Sequence, residues 1–193
     1  MSKIAVAKGI VQKKVIEIVA KKYGLEIDQK KLCLHVGEDT IFFVKHRDIP
    51  ELVENEYVDI GITSEEWIVE KEVEVDIIRE EEWCNTKICI IGNRKTNYRD
   101  GKTICATEFP NISKKYFNEM GLDVDVRKIS GSSEAYVPLL ADICVDCVET
   151  GKTLQENNLN IITTILKSKI VVFVKKGHKK EFEKCIEELF DNE

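Results

Sequence analysis

The feature that most constrains the fold is a regular alternation of short strand-like and helix-like segments along the chain. Strand-like runs are apolar or alternate in polarity, as at 3–7, 57–63 and 86–92, whereas 9–24 carries apolar residues at helical spacing. Such alternation predicts an α/β protein with largely parallel sheets. The chain has only 3 prolines and no flexible low-complexity run, so we expect two lobes joined by ordered crossover strands.

The same periodicities and their end signals predict the remaining elements. Further strands are predicted at 31–36, 40–45, 103–107, 124–130, 142–148 and 168–176. Further helices are predicted at 48–56, 64–72, 111–121 and 179–190. A turn is predicted at 98–103, a helix is expected to open within 131–140, and residues 79–83 (REEEW) are predicted to form an exposed acidic face.

The charge balance restricts the classes of partner. The chain has 29 Lys and Arg against 35 Asp and Glu, a net charge of −6. General binding to nucleic acids or membrane surfaces needs clustered basic charge, so we expect neither. A few local cations could still hold a small anionic ligand. The opening residues do not form an export signal and no apolar run is long enough to span a bilayer, so a cytoplasmic location is expected.

The cysteines and histidines suggest no metal or redox centre. Most of the 7 cysteines lie in apolar, strand-like runs, which is typical of reduced, buried thiols. Cys144 and Cys147 form a C-x-x-C pair. They lie in a predicted strand, where positions three apart point to opposite faces, so a redox or zinc pair is not expected. His35 and His46 lack metal-ligand spacing, and we expect structural or surface roles for both.

The segment 146–154, DCVETGKTL, has nearly the spacing of a nucleotide-binding P-loop, but Asp146 replaces its first glycine. It follows a predicted buried strand and enters a helix, and ligands of α/β sheets bind beyond the carboxyl ends of strands. Amides around Gly151 suit a phosphate, whereas the Asp146 carboxylate suits sugar hydroxyls. The local chemistry therefore favours a ribose phosphate. From these residues alone an ordinary helix-capping turn, with Lys152 merely solvated, is an equal alternative.

Several segments, taken in order, resemble those of ATP phosphoribosyltransferase, the first enzyme of histidine biosynthesis. The segment DICVDCVETGKTLQENNL resembles that family's D-x-I-V-D-x-x-E-T-G-x-T-L-x-x-N-x-L. Other matching segments are AKGIVQKKV, VKHRDIPELVENEYVDIGIT, ATEFPNISKKYFNEMG and GSSE. Their order and spacing agree across nearly the whole chain.

The resemblance implies a fold and an assembly. The fold is that of type II periplasmic binding proteins, with two α/β lobes and the active site in the interlobe cleft. Residues 1–88 and 166–193 would form lobe I, and residues 89–165 would form lobe II with the PRPP loop. The length resembles the short, catalytic-only form, which works with a regulatory subunit resembling histidyl-tRNA synthetase. A homo-oligomer is also implied, as a dimer or within a hetero-octamer.

The implied reaction joins N1 of ATP to C1 of phosphoribosyl diphosphate (PRPP) and releases pyrophosphate. Magnesium is expected with PRPP or ATP, and no metal ligands are assigned to the protein. The implied catalytic residues are Lys8, Glu134 and Asp146. The implied PRPP-binding residues are Asp146, Glu149, Thr150, Gly151, Lys152 and Thr153. The residues implied for ATP or pyrophosphate are Lys8, Gly9, Lys45 and Arg47.

The chain departs from the family pattern mainly on the ATP and pyrophosphate side. Ile10 and Lys45 stand where the pattern has arginines, and lysine lacks the bidentate fork that suits phosphate. Ser64 replaces a glycine, and the segment EAYVPLLAD is one residue shorter than the family's. These changes motivate an alternative: a non-catalytic or altered-specificity relative that binds PRPP or a nucleotide.

Two other classes of protein fit the sequence less well. The common purine and pyrimidine phosphoribosyltransferases usually have two adjacent acids before the loop, but Cys147 follows Asp146 here. An extracellular solute-binding protein of the same fold would need an export signal.

Overall fold

The protein folds into two compact units, as seen in a computed structural model that describes residues 1–93 and 103–190. Unit 1 comprises Met1–Cys84 and Lys169–Glu193, and unit 2 comprises Asn85–Ser168. The boundaries predicted from the sequence were 88/89 and 165/166. Two long strands, β5 (Val75–Gly92) and β9 (Asn160–Lys175), carry the chain from one unit to the other.

The other elements follow in the order of the chain. Those before β5 are β1 (Lys3–Ala7), α1 (Ile10–Tyr23), β2 (Cys33–Val36), β3 (Asp39–Val44), α2 (Ile49–Glu54), β4 (Ile60–Ser64) and α3 (Glu65–Lys71). Those after β5 are β6 (Thr103–Thr107), α4 (Pro110–Glu119), β7 (Val124–Lys128), β8 (Ile143–Val148), α5 (Lys152–Glu156) and α6 (Lys179–Phe190). Short 3-10 turns cover His46–Asp48 and Ser133–Tyr136.

Unit 1 is built on a mixed sheet with the strand order β2-β3-β1-β4-β9. Strand β1 is parallel to β3 and β4, whereas β2 and β9 are antiparallel to their neighbours. Register pairs Ala7 with Val44, so the chain leaves β1 and β3 at the same edge. The apolar face of α1, including Val11, Val15 and Val19, is buried in the core with these strands.

In unit 2 the strand order is β5-β8-β6-β7. Strand β6 is parallel to β7 and β8, and β5 is antiparallel to β8. Cys144 and Val145 of β8 are fully buried, together with Cys89 and Ile91 of β5. The α/β class is confirmed. The expectation of largely parallel sheets was only partly right, because β2, β5 and β9 each pair antiparallel with a neighbouring strand.

Two predicted strands are much longer in the structure. Strand β5 begins at Val75 rather than 86, and β9 at Asn160 rather than 168. The REEEW segment lies within β5 and exposes Glu80 and Glu82, whose carboxylates lie 3.1 and 3.0 Å from Lys169 Nζ of β9. Sequence periodicity did not identify this part of the strand, because the segment is charged and has too few apolar residues to show an alternating pattern.

Two further predictions have different outcomes. The helix expected within 131–140 is limited to one 3-10 turn, Ser133–Tyr136. Pro138 follows closely, and the residue before a proline is driven towards extended backbone, which stops a helix. The turn predicted at 98–103 lies outside the described residues, apart from Thr103.

Within 1–93 and 103–190, no helix is both long and apolar enough to cross a membrane.

Candidate functional site

The loop singled out in the sequence connects β8 to α5. Gly151 has φ +72°, in the left-handed region that costs residues with a side chain about 1–2 kcal/mol. A Cβ added there would meet only Val148 Cγ1, at 3.9 Å, so the glycine is required by backbone conformation rather than by lack of space. The backbone therefore turns sharply where the chain leaves the strand, and its amides can face one ligand.

The donors of this loop are backbone amides and hydroxyls. The first helical hydrogen bond of α5 runs from Gln155 N to Gly151 O, at 3.3 Å. The amides of Lys152, Thr153 and Leu154 precede that bond, so a helix leaves them without an intrahelical partner. Lys152 N donates instead to Thr150 Oγ1, at 3.5 Å. Because α5 has only five residues, direct amide contacts rather than a macrodipole would hold a phosphate.

The side chains of the loop face solvent. Glu149, Thr150, Lys152 and Thr153 are exposed. Lys152 Nζ lies 4.0 Å from Glu156 Oε1, and the lysine side chain is 82% exposed. Its charge is therefore available to an anion but is strongly screened by water.

Asp146, near the end of β8, is held in one orientation by the 3-10 turn at 133–136. Its Oδ2 accepts hydrogen bonds from Ser133 N, at 3.0 Å, and from Ser133 Oγ. Its Oδ1 accepts a third from Cys147 N, at 2.7 Å. The half-buried carboxylate is thus positioned by a residue 13 positions earlier. Sequence reasoning missed Ser133, because no spacing rule links the two segments.

Glu134 lies beside Asp146, so the structure brings together two of the predicted catalytic residues. Burial raises the pKa of the Glu134 carboxyl above its ordinary value, and the charge of Asp146 and a hydrogen bond to it raise it further. A like charge nearby and partial desolvation both disfavour the ionised form. The pair is therefore suited to sharing a proton.

The second group of predicted residues lies in unit 1, where β1 and β3 end. Lys8 N donates to Val44 O at 2.9 Å, and Lys13 N of α1 donates to Gly9 O at 3.2 Å. Gly9 has φ +90°, a conformation that favours glycine. Lys8, Gly9 and Lys45 are exposed, and Arg47 Nε lies 3.8 Å from Asp48 Oδ1. The candidates Lys8, Gly9, Lys45 and Arg47 therefore follow adjacent parallel strands at one edge.

His46 lies among these residues although the sequence offered no functional signal for it. Its Nδ1 lies 2.9 Å from Thr63 Oγ1 and 3.1 Å from Ser64 Oγ. Burial lowers the pKa of His46, and a hydrogen bond to the Lys8 backbone opposes that shift. The imidazole is thus favoured in its neutral form.

The described residues offer no evident metal centre of the protein's own. Within 1–93 and 103–190, no group of three or more His, Cys, Asp and Glu residues is placed to hold a metal ion. All seven cysteines are free thiols. Burial raises the pKa of Cys105 to about 12 and also raises that of Cys144, which disfavours their reactive thiolates.

Comparisons with known sequences agree on one family. The family model HisG, described as ATP phosphoribosyltransferase, matches residues 45–192. An ATP phosphoribosyltransferase of Clostridium kluyveri is 34% identical over 198 aligned residues, covering 95% of this chain and 90% of the relative. One from Clostridioides difficile is 36% identical over 171 residues, covering 84% and 82%. One from Methanocaldococcus jannaschii is 32% identical and is covered over only 65% of its length.

Comparisons with solved structures agree on the fold. A chain of the ATP phosphoribosyl transferase (HisG:HisZ) complex from Thermotoga maritima superposes with a TM-score of 0.86 and 26% identity, with complete coverage of both chains. The arginine-bound ArgBP of T. maritima, at 12% identity, and a histidine kinase sensor domain similar to periplasmic binding proteins, at 13%, give TM-scores of 0.58 and 0.61. These distant neighbours show the fold alone, which is the two-lobe type II periplasmic-binding-protein-like fold.

The sequence matches cover most of the chain, and the predicted resemblance is therefore confirmed. The length corresponds to that of the shorter relatives. The chain belongs to the ATP phosphoribosyltransferase family.

Proposed function

We propose that the chain joins N1 of ATP to C1 of PRPP and releases pyrophosphate, the first step of histidine biosynthesis. Beyond family membership, the observation that carries the proposal is the cluster of Asp146, Ser133 and Glu134 beside the Gly151 turn. It combines oriented carboxyl oxygens with a turn of backbone donors. A ribose phosphate needs both.

The loop would bind the 5-phosphate of PRPP. Amides from Gly151 to Thr153 and the hydroxyls of Thr150 and Thr153 supply donors, and Lys152 adds screened positive charge. Glu149 precedes these donors and would orient the turn rather than contact the phosphate, because two anions repel.

Asp146 would accept from the ribose hydroxyls. A carboxylate offers about four lone-pair sites. Ser133 and Cys147 donate to three of them, and a protonated Glu134 can hydrogen-bond the same carboxylate, so a sugar hydroxyl would take the place of that contact. Because Ser133 fixes the orientation, the carboxylate loses little freedom on binding.

The displacement at C1 needs positioning and charge stabilisation more than covalent chemistry. The Glu134 and Asp146 carboxyls would stabilise positive charge that develops on the sugar ring as pyrophosphate leaves. Lys8, Gly9, Lys45 and Arg47 would bind ATP or pyrophosphate in unit 1. Magnesium bound through the substrate's diphosphate would neutralise part of its charge.

A regulatory subunit is part of the proposal. The neighbouring Thermotoga structure is described as a HisG:HisZ complex, and we propose a similar partner, resembling histidyl-tRNA synthetase, for this chain. Assembly as a dimer or within a hetero-octamer would accompany it. The cytoplasm is the proposed location, since ATP and PRPP are intracellular metabolites.

The test is direct measurement of phosphoribosyl-ATP formation from ATP, PRPP and magnesium, with and without a HisZ-type partner. Product that depends on all three components is expected, with greater activity in the complex. No product in either condition, while PRPP still binds, would instead support the second candidate, a binding relative without this activity. The replacement of two family arginines by Ile10 and Lys45 motivates that candidate.

A further inference from the structure

The connection between β6 and α4 in unit 2 is fixed to the end of β8, beside Asp146. Thr107, the last residue of β6, is in parallel register with Val145, which directly precedes Asp146. Thr107 Oγ1 donates to Val145 O at 2.7 Å and accepts from Phe109 N at 2.8 Å. Thr107 and Phe109 are both buried. The backbone on each side of Glu108 is therefore held firmly relative to the end of β8.

The Glu108 side chain reaches from this connection to the turn that follows β7. Its Oε1 accepts a hydrogen bond from Gly131 N at 2.9 Å. Ile129 N, two residues earlier, donates to Thr107 O, also at 2.9 Å. The turn is thus anchored at two points to the residues around the end of β6, once through backbone and once through the Glu108 carboxylate.

The same turn carries the residue that orients Asp146. Ser133, two residues after Gly131, donates from its N and from its Oγ to Asp146 Oδ2. Gly131 has φ +95° and no side chain to restrict its backbone. A hydrogen bond to the Gly131 amide therefore removes conformational freedom from the segment that presents Ser133 to the carboxylate.

We propose that Glu108 is a positioning residue: it holds the turn at 129–133 and, through Ser133, keeps Asp146 oriented, and so raises the affinity of this site for PRPP. Glu108 acts without touching the substrate. An acceptor that is already oriented loses less freedom when a ligand binds. The identity of the ligand rests on the proposed function, whereas the positioning rests on the hydrogen bonds.

Three substitutions separate the reach of the side chain from its charge. Glu108→Gln keeps an oxygen acceptor at the position of Oε1 but removes the charge. Glu108→Asp keeps the charge but is one methylene shorter, so its oxygens draw back from Gly131 N. Glu108→Ala removes both, and the aspartate variant covers the case in which the alanine variant fails to fold. Glu119→Ala, at an exposed position at the other end of α4, is the control for a lost charge.

Steady-state kinetics should show that the acceptor matters more than the charge. Glu108→Asp and Glu108→Ala should raise the KM for PRPP about fivefold, the effect of about one lost hydrogen bond. The kcat and the KM for ATP should change less than about twofold. Glu108→Gln and Glu119→Ala should stay within about twofold of wild type. Equal increases of the KM in the glutamine and aspartate variants would overturn the hydrogen-bond account.

A double-mutant cycle tests whether Glu108 acts through Ser133. Ser133→Ala removes the Oγ donor to Asp146 and should by itself raise the KM for PRPP. Because both changes act on the same carboxylate orientation, the combined Glu108→Ala and Ser133→Ala variant should show less than the product of the two single increases. Two fully multiplicative increases would overturn the route through Ser133.

Amide exchange of Ser133, measured by NMR without substrate, tests the positioning independently of any ligand. It should be faster than wild type in Glu108→Asp and Glu108→Ala and unchanged in Glu108→Gln. Unchanged exchange in the aspartate and alanine variants would overturn the positioning role. Faster exchange with an unchanged KM for PRPP would overturn its contribution to affinity.

The same measurements distinguish this proposal from the proposed function. A wild-type protein that makes no product and does not bind PRPP in calorimetry would overturn the proposed function and, with it, the contribution of Glu108 to PRPP affinity. Exchange of the Ser133 amide would still decide whether Glu108 positions the turn.

Discussion

The two groups of candidate residues differ in how they are built. In unit 2, the loop at 146–153 keeps the family pattern, and Ser133 orients Asp146 through hydrogen bonds. In unit 1, the edge at Lys8 and Lys45 has lost family arginines but carries the His46 contacts. The first region presents oriented acceptors and backbone donors, and the second presents exposed lysines and a hydrogen-bonded imidazole.

This difference shows where affinity should be sensitive. Removing one partner of an oriented, partly buried hydrogen bond costs free energy, because the other partner stays desolvated without a hydrogen bond. An exposed lysine is screened by water, so single changes to such charges have small effects. We therefore expect substitutions in unit 2 to cause large losses of substrate affinity or catalytic efficiency. Substitutions in unit 1 should change affinity modestly, and some should increase it.

The largest effect is expected for Asp146→Ala. The change removes the acceptor of Ser133 and Cys147 and the proposed acceptor of the ribose hydroxyls, so kcat/KM for PRPP should fall about 100-fold or more. Steady-state kinetics and PRPP titration measure it. Asp142→Ala is the control, because Asp142 precedes the same strand and accepts from Ile104 N at 2.8 Å. Equal losses in both variants would show a folding effect rather than a PRPP site.

A smaller loss of PRPP affinity is expected for Gly151→Ala. Alanine at φ +72° costs about 1–2 kcal/mol, and relief of that strain would reshape the turn, so the KM for PRPP should rise about tenfold. Gly177→Ala is matched in strain, with φ +88°, but lies before α6 in unit 1. It should lower the melting temperature without changing the KM for PRPP. An unchanged KM in Gly151→Ala would contradict the phosphate-binding role of the turn.

A gain in ATP affinity is expected for Ile10→Arg, which restores the arginine of the family pattern in unit 1. Ile10 is 43% exposed at the start of α1, so an arginine can extend without disturbing the core. Its bidentate fork should lower the KM for ATP about three- to tenfold. Val69→Arg, at a similarly exposed position on α3, is the control for added charge. No difference between the two variants would mean that position 10 does not face the nucleotide.

The smallest effect is a change in the pH dependence of stability in Glu134→Gln. The pKa of Glu134 is raised above its ordinary value of 4.5, so between the two values the folded state binds more protons than the unfolded state. Stability should therefore fall as pH rises through this window. Glutamine cannot ionise, so the variant's melting temperature should exceed that of wild type at pH 7, with the gain shrinking towards pH 4.

Glu149→Gln, an exposed carboxylate in the same unit, is the control for a lost charge. A gain in Glu134→Gln that is constant between pH 4 and 7 would contradict the raised pKa.

Much of the fold could be predicted from the sequence. Apolar periodicity located β1, α1, β4 and α6 within a few residues, because each buries one face. It failed for the first half of β5, where charged side chains occupy an ordered strand. Those charges are tolerated because Lys169 of β9 neutralises Glu80 and Glu82. Such a pairing is invisible until the strands are brought together.

The candidate site divides in the same way. Sequence alone determined the α/β class, the family and the loop at 146–153, because these depend on local pattern and on residue order. Only the tertiary structure decided that Ser133 orients Asp146, that Glu134 lies beside it, and that His46 contacts Thr63 and Ser64. Those contacts join residues from separate elements, and a hydrogen bond depends on distance in space rather than on spacing in the chain.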